Sequence, residues 1–532
     1  MSRQIKNSTI EPNLMLGIEF GSTRIKAVLI NESHQIVAVG AHTWENQLVD
    51  GIWTYGTEDI WSGLQDCYKD LTVQYKRSTG EDIHTLSAIG FSGMMHGYLA
   101  FDENDNLLVP FRTWRNTCTG KAAEELSKLF QFNIPQRWSI AHLYQAILDQ
   151  EPHVADIQFF TTLAGYIHFS LTGERVLGIG EASGMFPIDS KTENYNAEMI
   201  RKFDERSAQK GFTKKLAKLL PRVLSAGECA GHLTEKGALL LDPTGTLQPG
   251  IPFCPPEGDA GTGMVATNSV KVRTGNVSAG TSIFAMAVLE QELSEWYTEI
   301  DMVTTPDGKP VAMVHCNNCT SEINAWVSML KEFAEAIGSN ISEAELYPLL
   351  FRKALEGAAD CDGVIACGYL SGEPVVGLEN GCPLLVRKPG SRLNLPNLMR
   401  SQIYASVATL KIGMDLLMQR ENVQLDRLTG HGGLFKTPGV GQRFLAAAVS
   451  TPVSVMETAG EGGAWGMALL AAYMKKKQPG ELLPDYLNQN VFGEIETSDA
   501  KPEETDMAGF KRFMTDYQNM LDAERAACKS FK

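Results

Sequence analysis

The chain has 532 residues, 43% of them hydrophobic and 21% charged, which leaves room for about two to four domains with ample cores. A formal net charge of −16 argues against a nucleic acid or an anionic membrane as partner, because both need a basic field. No apolar run reaches about 18 residues, the start MSRQIKNSTIEPN has no apolar signal core, and ten cysteines are scattered, so a cytoplasmic protein with no membrane span and no export is expected.

In chain order, LMLGIEFGSTRIKAVLI predicts a strand (14–20), a tight turn at Gly21, Ser22 and Thr23, and a second strand (25–30). One acid, Glu19, stands at the mouth of the turn, where a buried strand has no use for a carboxylate. Ile60, Trp61, Leu64, Cys67, Tyr68 and Leu71 recur at helical spacing. LSAIGFS (86–92) predicts a buried strand running into Gly93, Met94, Met95, His96 and Gly97, and the DENDN stretch (102–106) a hairpin tip. GDAGTG (258–263) sets one acid, Asp259, among small residues, where a substrate can approach it closely. His315, Cys316 and Cys319 hold the one local cysteine pair, which lacks the second pair that a zinc site would need and reads as incidental. Helices are predicted near 401–420, 462–474 and 505–528, and RLTGHGGLFKTP (427–438) as a strand entering a glycine-rich turn. The alternation of strand and helix signals throughout indicates α/β architecture.

An internal echo organises these pieces. IEFGSTRIKAVL (18–29) lies over VSAGTSIFAMAV (277–288), with Gly21 matching Gly280 and Ser22 and Thr23 matching Thr281 and Ser282. Two similar domains are expected, 1–268 and 269–532, each presenting one such turn. A turn glycine lets the backbone approach a ligand, and successive N–H groups with two hydroxyls suit phosphate oxygens, although a plain hairpin turn has the same composition. Acids beside such a cleft suit Mg²⁺, held directly or through water. A phosphoryl transfer needs position, charge stabilisation and one base for the attacking hydroxyl, and Asp259 fits that base; a helix-cap aspartate would look alike. Met94, Met95 and His96, with Trp114, Arg115 and Asn116 downstream, combine an apolar platform with polar donors, which suits a sugar.

Together these stretches resemble the FGGY carbohydrate kinases over about residues 14–500. GIEFGSTRIK (17–26) is similar to the family's first phosphate motif G-I-D-x-G-T-x-x-x-K, and SGMMHG (92–97) to the sugar-contacting S-G-Q-M-H-G of xylulokinases. Trp114 to Asn116 resembles W-x-D, LTG (171–173) and EASG (181–184) the L-T-G-E and N-A-S-G segments, and Gly258 to Ala260 the block that carries the catalytic base. SAGTS (278–282) resembles the second phosphate motif, YLSGE (369–373) the L-x-G-E element and GGLFKTP (432–438) the adenosine motif G-G-G-A-K-S-P.

The resemblance implies two ribonuclease-H-like (actin-like ATPase) domains around a central cleft, an N-terminal one binding sugar and a C-terminal one binding nucleotide. It implies ATP-dependent phosphorylation of a sugar hydroxyl, with a ketopentose such as xylulose or ribulose as the leading acceptor and a homodimer as the family habit. Asp259 would take the hydroxyl proton. Met95, His96, Trp114 and Asn116 would hold the sugar. Gly21, Ser22, Thr23, Lys26, Gly280, Thr281 and Ser282 would hold phosphates, and Gly432, Gly433 and Lys436 the adenosine side. Glu19 and Asp259 would hold Mg²⁺. Three departures stand out: Glu19 in place of Asp, Asn116 in place of the motif's acid, and Leu434 in place of the third adenosine glycine, which is expected to narrow that corner. They motivate a competing reading, a non-catalytic sugar or nucleotide sensor; an actin-like ATPase without a small acceptor is a third, disfavoured by the sugar stretches.

Overall fold

The computed structural model describes residues 13–456, 462–493 and 495–531. The elements used below are strands β1 (Met15–Phe20), β2 (Arg24–Ile30) and β3 (Ile36–Thr43), helix α1 (Thr57–Thr79), β4 (Ala88–Gly93), the short α2 (Ile179–Ser183), β5 (Glu257–Gly258) and α3 (Asp259–Ala266). They continue with β6 (Thr274–Ala279), β7 (Ile283–Val288), β8 (Ile300–Thr304), β9 (Pro310–Cys316), α4 (Leu395–Asp415), β10 (Arg427–His431), β11 (Val453–Met456), α5 (Gly462–Lys476), β12 (Thr497–Ala500) and α6 (Glu504–Ser530).

The chain divides into two compact units. The first comprises residues 1–270, 303–309 and 461–494, and the second 271–302, 310–460 and 495–532. The first crossing is at 270/271, where the sequence leads one to expect 268/269, and the return of 461–494 to the first unit has a packing reason. Helix α5 lies directly on β1: a Cβ on Gly17 would stand 2.2 Å from the Ala464 carbonyl and 2.3 Å from the Ala468 nitrogen. Only a bare glycine opposite an alanine-lined helix face permits that approach.

The first unit holds a five-stranded sheet in the order β5-β4-β1-β2-β3. Strand β1 pairs antiparallel with β2, Glu19 opposite Lys26, and parallel with β4, Glu19 opposite Ser92. Its core includes Leu16, Ile18, Phe20, Leu64, Leu71, Phe91 and Phe253, so the apolar face predicted for α1 is the one buried. The second unit holds a seven-stranded sheet in the order β8-β9-β7-β6-β10-β11-β12. There β6 pairs antiparallel with β7 and parallel with β10. Both sheets thus share a five-strand motif in which the hairpin's first strand sits between its antiparallel partner and a parallel strand, and the sequence echo marks a true structural repeat. In the second unit α4 and α6 cover the sheet with Ile403, Val407, Leu410, Phe513 and Tyr517. Among the described residues no helix is long and apolar enough to cross a membrane.

Candidate active site

The two turns are built alike. In the first unit the Gly21 N–H bonds the Arg24 carbonyl at 3.0 Å and closes the hairpin. The turn carbonyls are held from behind: Trp44 Nε1 donates to Gly21 O at 2.8 Å, the Tyr55 hydroxyl donates to Ser22 O at 2.6 Å, and the Trp44 N–H donates to Thr23 O at 3.2 Å. Ser22 and Thr23 themselves are exposed. In the second unit the Gly280 N–H bonds Ser282 O at 2.9 Å. The Thr320 hydroxyl donates to Gly280 O at 2.7 Å and the Cys319 N–H to Thr281 O at 2.9 Å. In both turns, holding the carbonyls on one side turns the hydroxyl residues toward solvent, the arrangement an anion requires.

This also explains the cysteine pair. Cys316 ends β9 and Cys319 braces the second turn; both are buried, and burial pushes the Cys319 thiol up to about 12.

The acids of the first unit converge where β1 and β5 end. Asp259 opens α3, and its Oδ1 accepts from the Met95 N–H at 3.2 Å and the Ala260 N–H at 2.9 Å. Both bonds fall on one oxygen, and among the described residues no other residue is seen to hydrogen-bond Oδ2. Burial raises the Asp259 carboxyl above its ordinary range, partly offset by those N–H bonds. Glu19 is pushed up to about 7, first by burial and then by the Asp259 charge, against the N–H groups of Ala464 and Gly463 and the charge of Lys26. Its carboxylate touches the start of α5 so closely that a Cβ on Gly463 would stand 2.3 Å from Glu19 Oε1 and 2.6 Å from Thr262 Oγ1.

Mg²⁺ usually takes one or two carboxylates together with phosphate and water oxygens. A buried carboxylate whose proton affinity a neighbouring carboxylate raises forms such a donor pair with it, so Glu19 and Asp259 fit a divalent cation. Among the described residues no cluster of three or more His, Cys, Asp or Glu side chains offers a self-sufficient metal site.

The sugar stretch is partly reassigned by its contacts. Met95 and His96 follow β4 and lie beside Gly184, where an added Cβ would meet Met95 Cε at 2.7 Å and His96 Nδ1 at 2.9 Å. His96 holds a left-handed backbone (φ 70°) and places Nδ1 2.9 Å from Gly184 O, which orients the ring. Met94 points the other way into the core, its sulfur 3.7 Å from the Tyr55 hydroxyl. Trp114 is 40% exposed. Asn116 is buried, and its amide is committed to backbone: Oδ1 accepts from the Trp53 N–H at 2.9 Å, and Nδ2 donates to Trp53 O at 2.8 Å and Thr113 O at 3.0 Å. What it presents is therefore Trp53, over whose ring the Arg115 guanidinium lies at 3.9 Å.

In the second unit Gly432 has φ 101°, and a Cβ there would stand 2.4 Å from Ala279 O, so the corner after β10 needs glycine twice over. Gly433 begins a short 3₁₀ turn and Lys436 is exposed. Leu434 does not narrow that corner as expected: it is fully buried in the core of the second unit, because the turn directs its side chain inward.

Two residues escaped the sequence reading. Glu257 immediately precedes Gly258 and is pushed up to about 8, chiefly by burial, while Glu181 is wholly buried. The adjacency of Glu257 to the GDAGTG block was a usable signal; Glu181 was legible only as part of the EASG segment.

Known proteins agree with this architecture. The profile of the FGGY family of carbohydrate kinases, N-terminal domain, matches residues 14–266, and that of its C-terminal domain residues 275–474. The chain is 22% identical to a xylulose kinase of Haemophilus influenzae, covering 96% of this chain and 99% of that one. It is 24% identical to a gluconokinase of Bacillus subtilis, covering 68% of each. The crystal structure of ligand-bound xylulose kinase from Lactobacillus acidophilus superposes with a TM-score of 0.78 at 17% identity, covering 98% of this chain and 100% of that one. This chain belongs to the FGGY family of carbohydrate kinases, with its two-domain α/β actin-like ATPase fold, and is a sugar kinase.

Proposed function

We propose that the enzyme transfers the γ-phosphate of ATP to a hydroxyl of a ketopentose such as xylulose or ribulose, in the cytoplasm, with Asp259 as general base. The observation that carries this reading is the Asp259 carboxylate, anchored through Oδ1 by two N–H groups, with no bond from another described residue to Oδ2. Oδ2 takes the proton of the acceptor hydroxyl as its oxygen forms a bond to the γ-phosphorus and the bond to the ADP oxygen breaks. Burial of Asp259 raises its proton affinity, which makes it a better base than an exposed aspartate.

In the first unit Gly21, Ser22, Thr23 and Lys26 face phosphate. In the second, Gly280, Thr281 and Ser282 do the same, and Gly432, Gly433 and Lys436 take the adenosine side. Mg²⁺ held by Glu19 and Asp259 would neutralise charge developing on the phosphates. Met95, His96 and Trp114 line the acceptor side, with Asn116 acting through Trp53. The motif SGMMHG and the xylulose kinase relatives favour a ketopentose, and the gluconokinase relative makes sugar acids the necessary controls.

An ATP-coupled screen over pentuloses, hexuloses, aldoses, polyols and aldonates tests the proposal. A pentulose should give the highest kcat/KM, and Asp259→Asn should remove that activity. ADP release that no sugar stimulates, together with sugar or ATP binding by calorimetry, would establish the sensor reading instead.

A further inference from the structure

Glu181 is an anomaly of the first unit. It is 0% exposed, and among the described residues no group makes a well-formed hydrogen bond to either carboxyl oxygen, the Thr162 side chain being a weak partner. A dry interior disfavours an ionised carboxylate without strong donors, and burial drives this group well above the ordinary carboxylate range. With no strong hydrogen bond at either oxygen, the side chain supplies shape.

The shape has a specific counterpart. A Cβ on Gly258 would stand 2.4 Å from Glu181 Oε2, 2.2 Å from Met95 Cγ and 3.1 Å from Met95 Sδ. Glu181 and Met95 therefore press together on the α-carbon that immediately precedes Asp259. Met95 also donates its N–H to Asp259 Oδ1, so one residue both bonds the base and shares the seat with Glu181.

The contact is reciprocal. Glu257, on the other side of Gly258, accepts the Glu181 N–H at 2.9 Å and the Gly180 N–H at 3.4 Å. Its carboxyl fills the space where a Cβ on Gly178 or Gly180 would stand, at 2.1 and 2.4 Å. Strand β5 and helix α2 thus interlock, each sending a glutamate against a glycine of the other. Helix α2 is tied further by the Thr304 hydroxyl, which donates to Ile179 O at 3.0 Å, and by the Thr304 N–H, which donates to Ser183 Oγ at 3.0 Å.

We propose that Glu181 is a positioning residue of this kinase, a wedge against Gly258 and Met95 that fixes the direction in which Asp259 Oδ2 faces the acceptor. It touches no substrate and acts through the Gly258 backbone and Met95. The inference rests on Asp259 being the base. Without the wedge, Met95 and Gly258 relax into the space and the carboxylate swings; a misplacement of about 1 Å is enough to cost roughly 100-fold in rate.

Steady-state and single-turnover kinetics of Glu181→Ala, Glu181→Met and Asp259→Asn, alone and combined, test it. Glu181→Ala should lower kcat by roughly 10- to 100-fold with KM for ATP unchanged, and Glu181→Met, which refills the space without polar atoms, should recover kcat to within about fivefold of wild type. In the Asp259→Asn background Glu181→Ala should remove little more, because the two act as one unit. A wild-type kcat in Glu181→Ala, an equal loss in the Asp259→Asn background, or a Glu181→Met enzyme as slow as Glu181→Ala would each overturn the wedge. If Glu181→Ala does not fold, Glu181→Val replaces it and must lose rate while Glu181→Met does not; equal rates overturn the proposal. Wild-type turnover in Asp259→Asn removes the base assignment itself, whereas an inactive Asp259→Asn beside an unimpaired Glu181→Ala removes only this inference.

Discussion

The hairpin of the first unit and the hairpin of the second share a backbone and differ in charge. Each has a strand, a glycine, two hydroxyl residues and a return strand, flanked by a parallel strand on the other side. Each turn has its carbonyls held from behind, by Trp44 and Tyr55 in one case and by Cys319 and Thr320 in the other. At the position two before the glycine, however, the first carries Glu19 and the second Ser278. In the first sheet Asp259 follows β5, which lies beyond β4, the parallel neighbour of β1. A repeated scaffold therefore presents two phosphate-suited turns, and the first carries an acid, Glu19, where the second carries Ser278. Anion binding needs backbone and hydroxyl donors, which both copies can share, whereas proton abstraction and cation binding need carboxylates in one place.

The comparison can be broken at four points, taken from the largest expected effect to the smallest. Asp259→Asn removes the base from the acidic copy and should lower sugar-dependent ADP formation by roughly 10²- to 10⁴-fold; a loss below tenfold would put the base elsewhere. Glu19→Gln keeps the size of the side chain and loses its charge. It should lower Mg²⁺-dependent turnover by roughly 10- to 100-fold, about the value of one charge-assisted contact, while calorimetric sugar binding stays unchanged. Unaltered turnover would make Glu19 only an anchor for the start of α5.

Thr23→Val and Thr281→Val remove one hydroxyl from each copy. If both turns hold phosphate, each should raise KM for ATP by roughly 5- to 20-fold, the value of one hydrogen bond to an anion; an effect confined to one turn would end the functional symmetry.

The smallest effect is on stability. Glu19 at about 7 and Glu257 at about 8 both lie above the ordinary carboxylate value near 4.5. The folded state therefore binds more protons than the unfolded one through that window. Stability is greatest below about pH 4.5 as far as these two groups are concerned and is lost as pH rises toward 7 and 8. Urea unfolding should show the chain less stable at pH 8 than at pH 5, and Glu19→Gln should flatten part of the slope. Stability that rises over this range would contradict the burial assigned to both carboxyls.

Much of this was legible in the primary structure because it depends on local pattern. Alternating apolar runs predicted β1, β2 and β4 to within a few residues, and the repeat of Gly21 with Ser22 and Thr23 at Gly280 with Thr281 and Ser282 announced two related sheets. Asp259 was visible as a lone acid among glycines. What local pattern could not carry was the direction of individual side chains. Met94 and Met95 are adjacent and chemically identical, yet one enters the core and the other meets Asp259, because neighbouring residues leaving a strand face opposite ways. Asn116 read as a sugar ligand until its amide was found bonded to Trp53, and Leu434 read as an obstruction until it was found in the core.

The sequence by itself determined the fold class, the repeat and the family, since each follows from residue type and spacing along the chain, and it singled out Asp259 as the candidate base. Only the tertiary structure decided that α5 returns to lie on β1, that Glu19 meets both Asp259 and the start of that helix, and that Glu181 and Glu257 interlock around Gly258. Those relations join residues dozens to hundreds of positions apart. They arise where glycines let backbones close to contact distance, and burial then changes what each carboxyl can do.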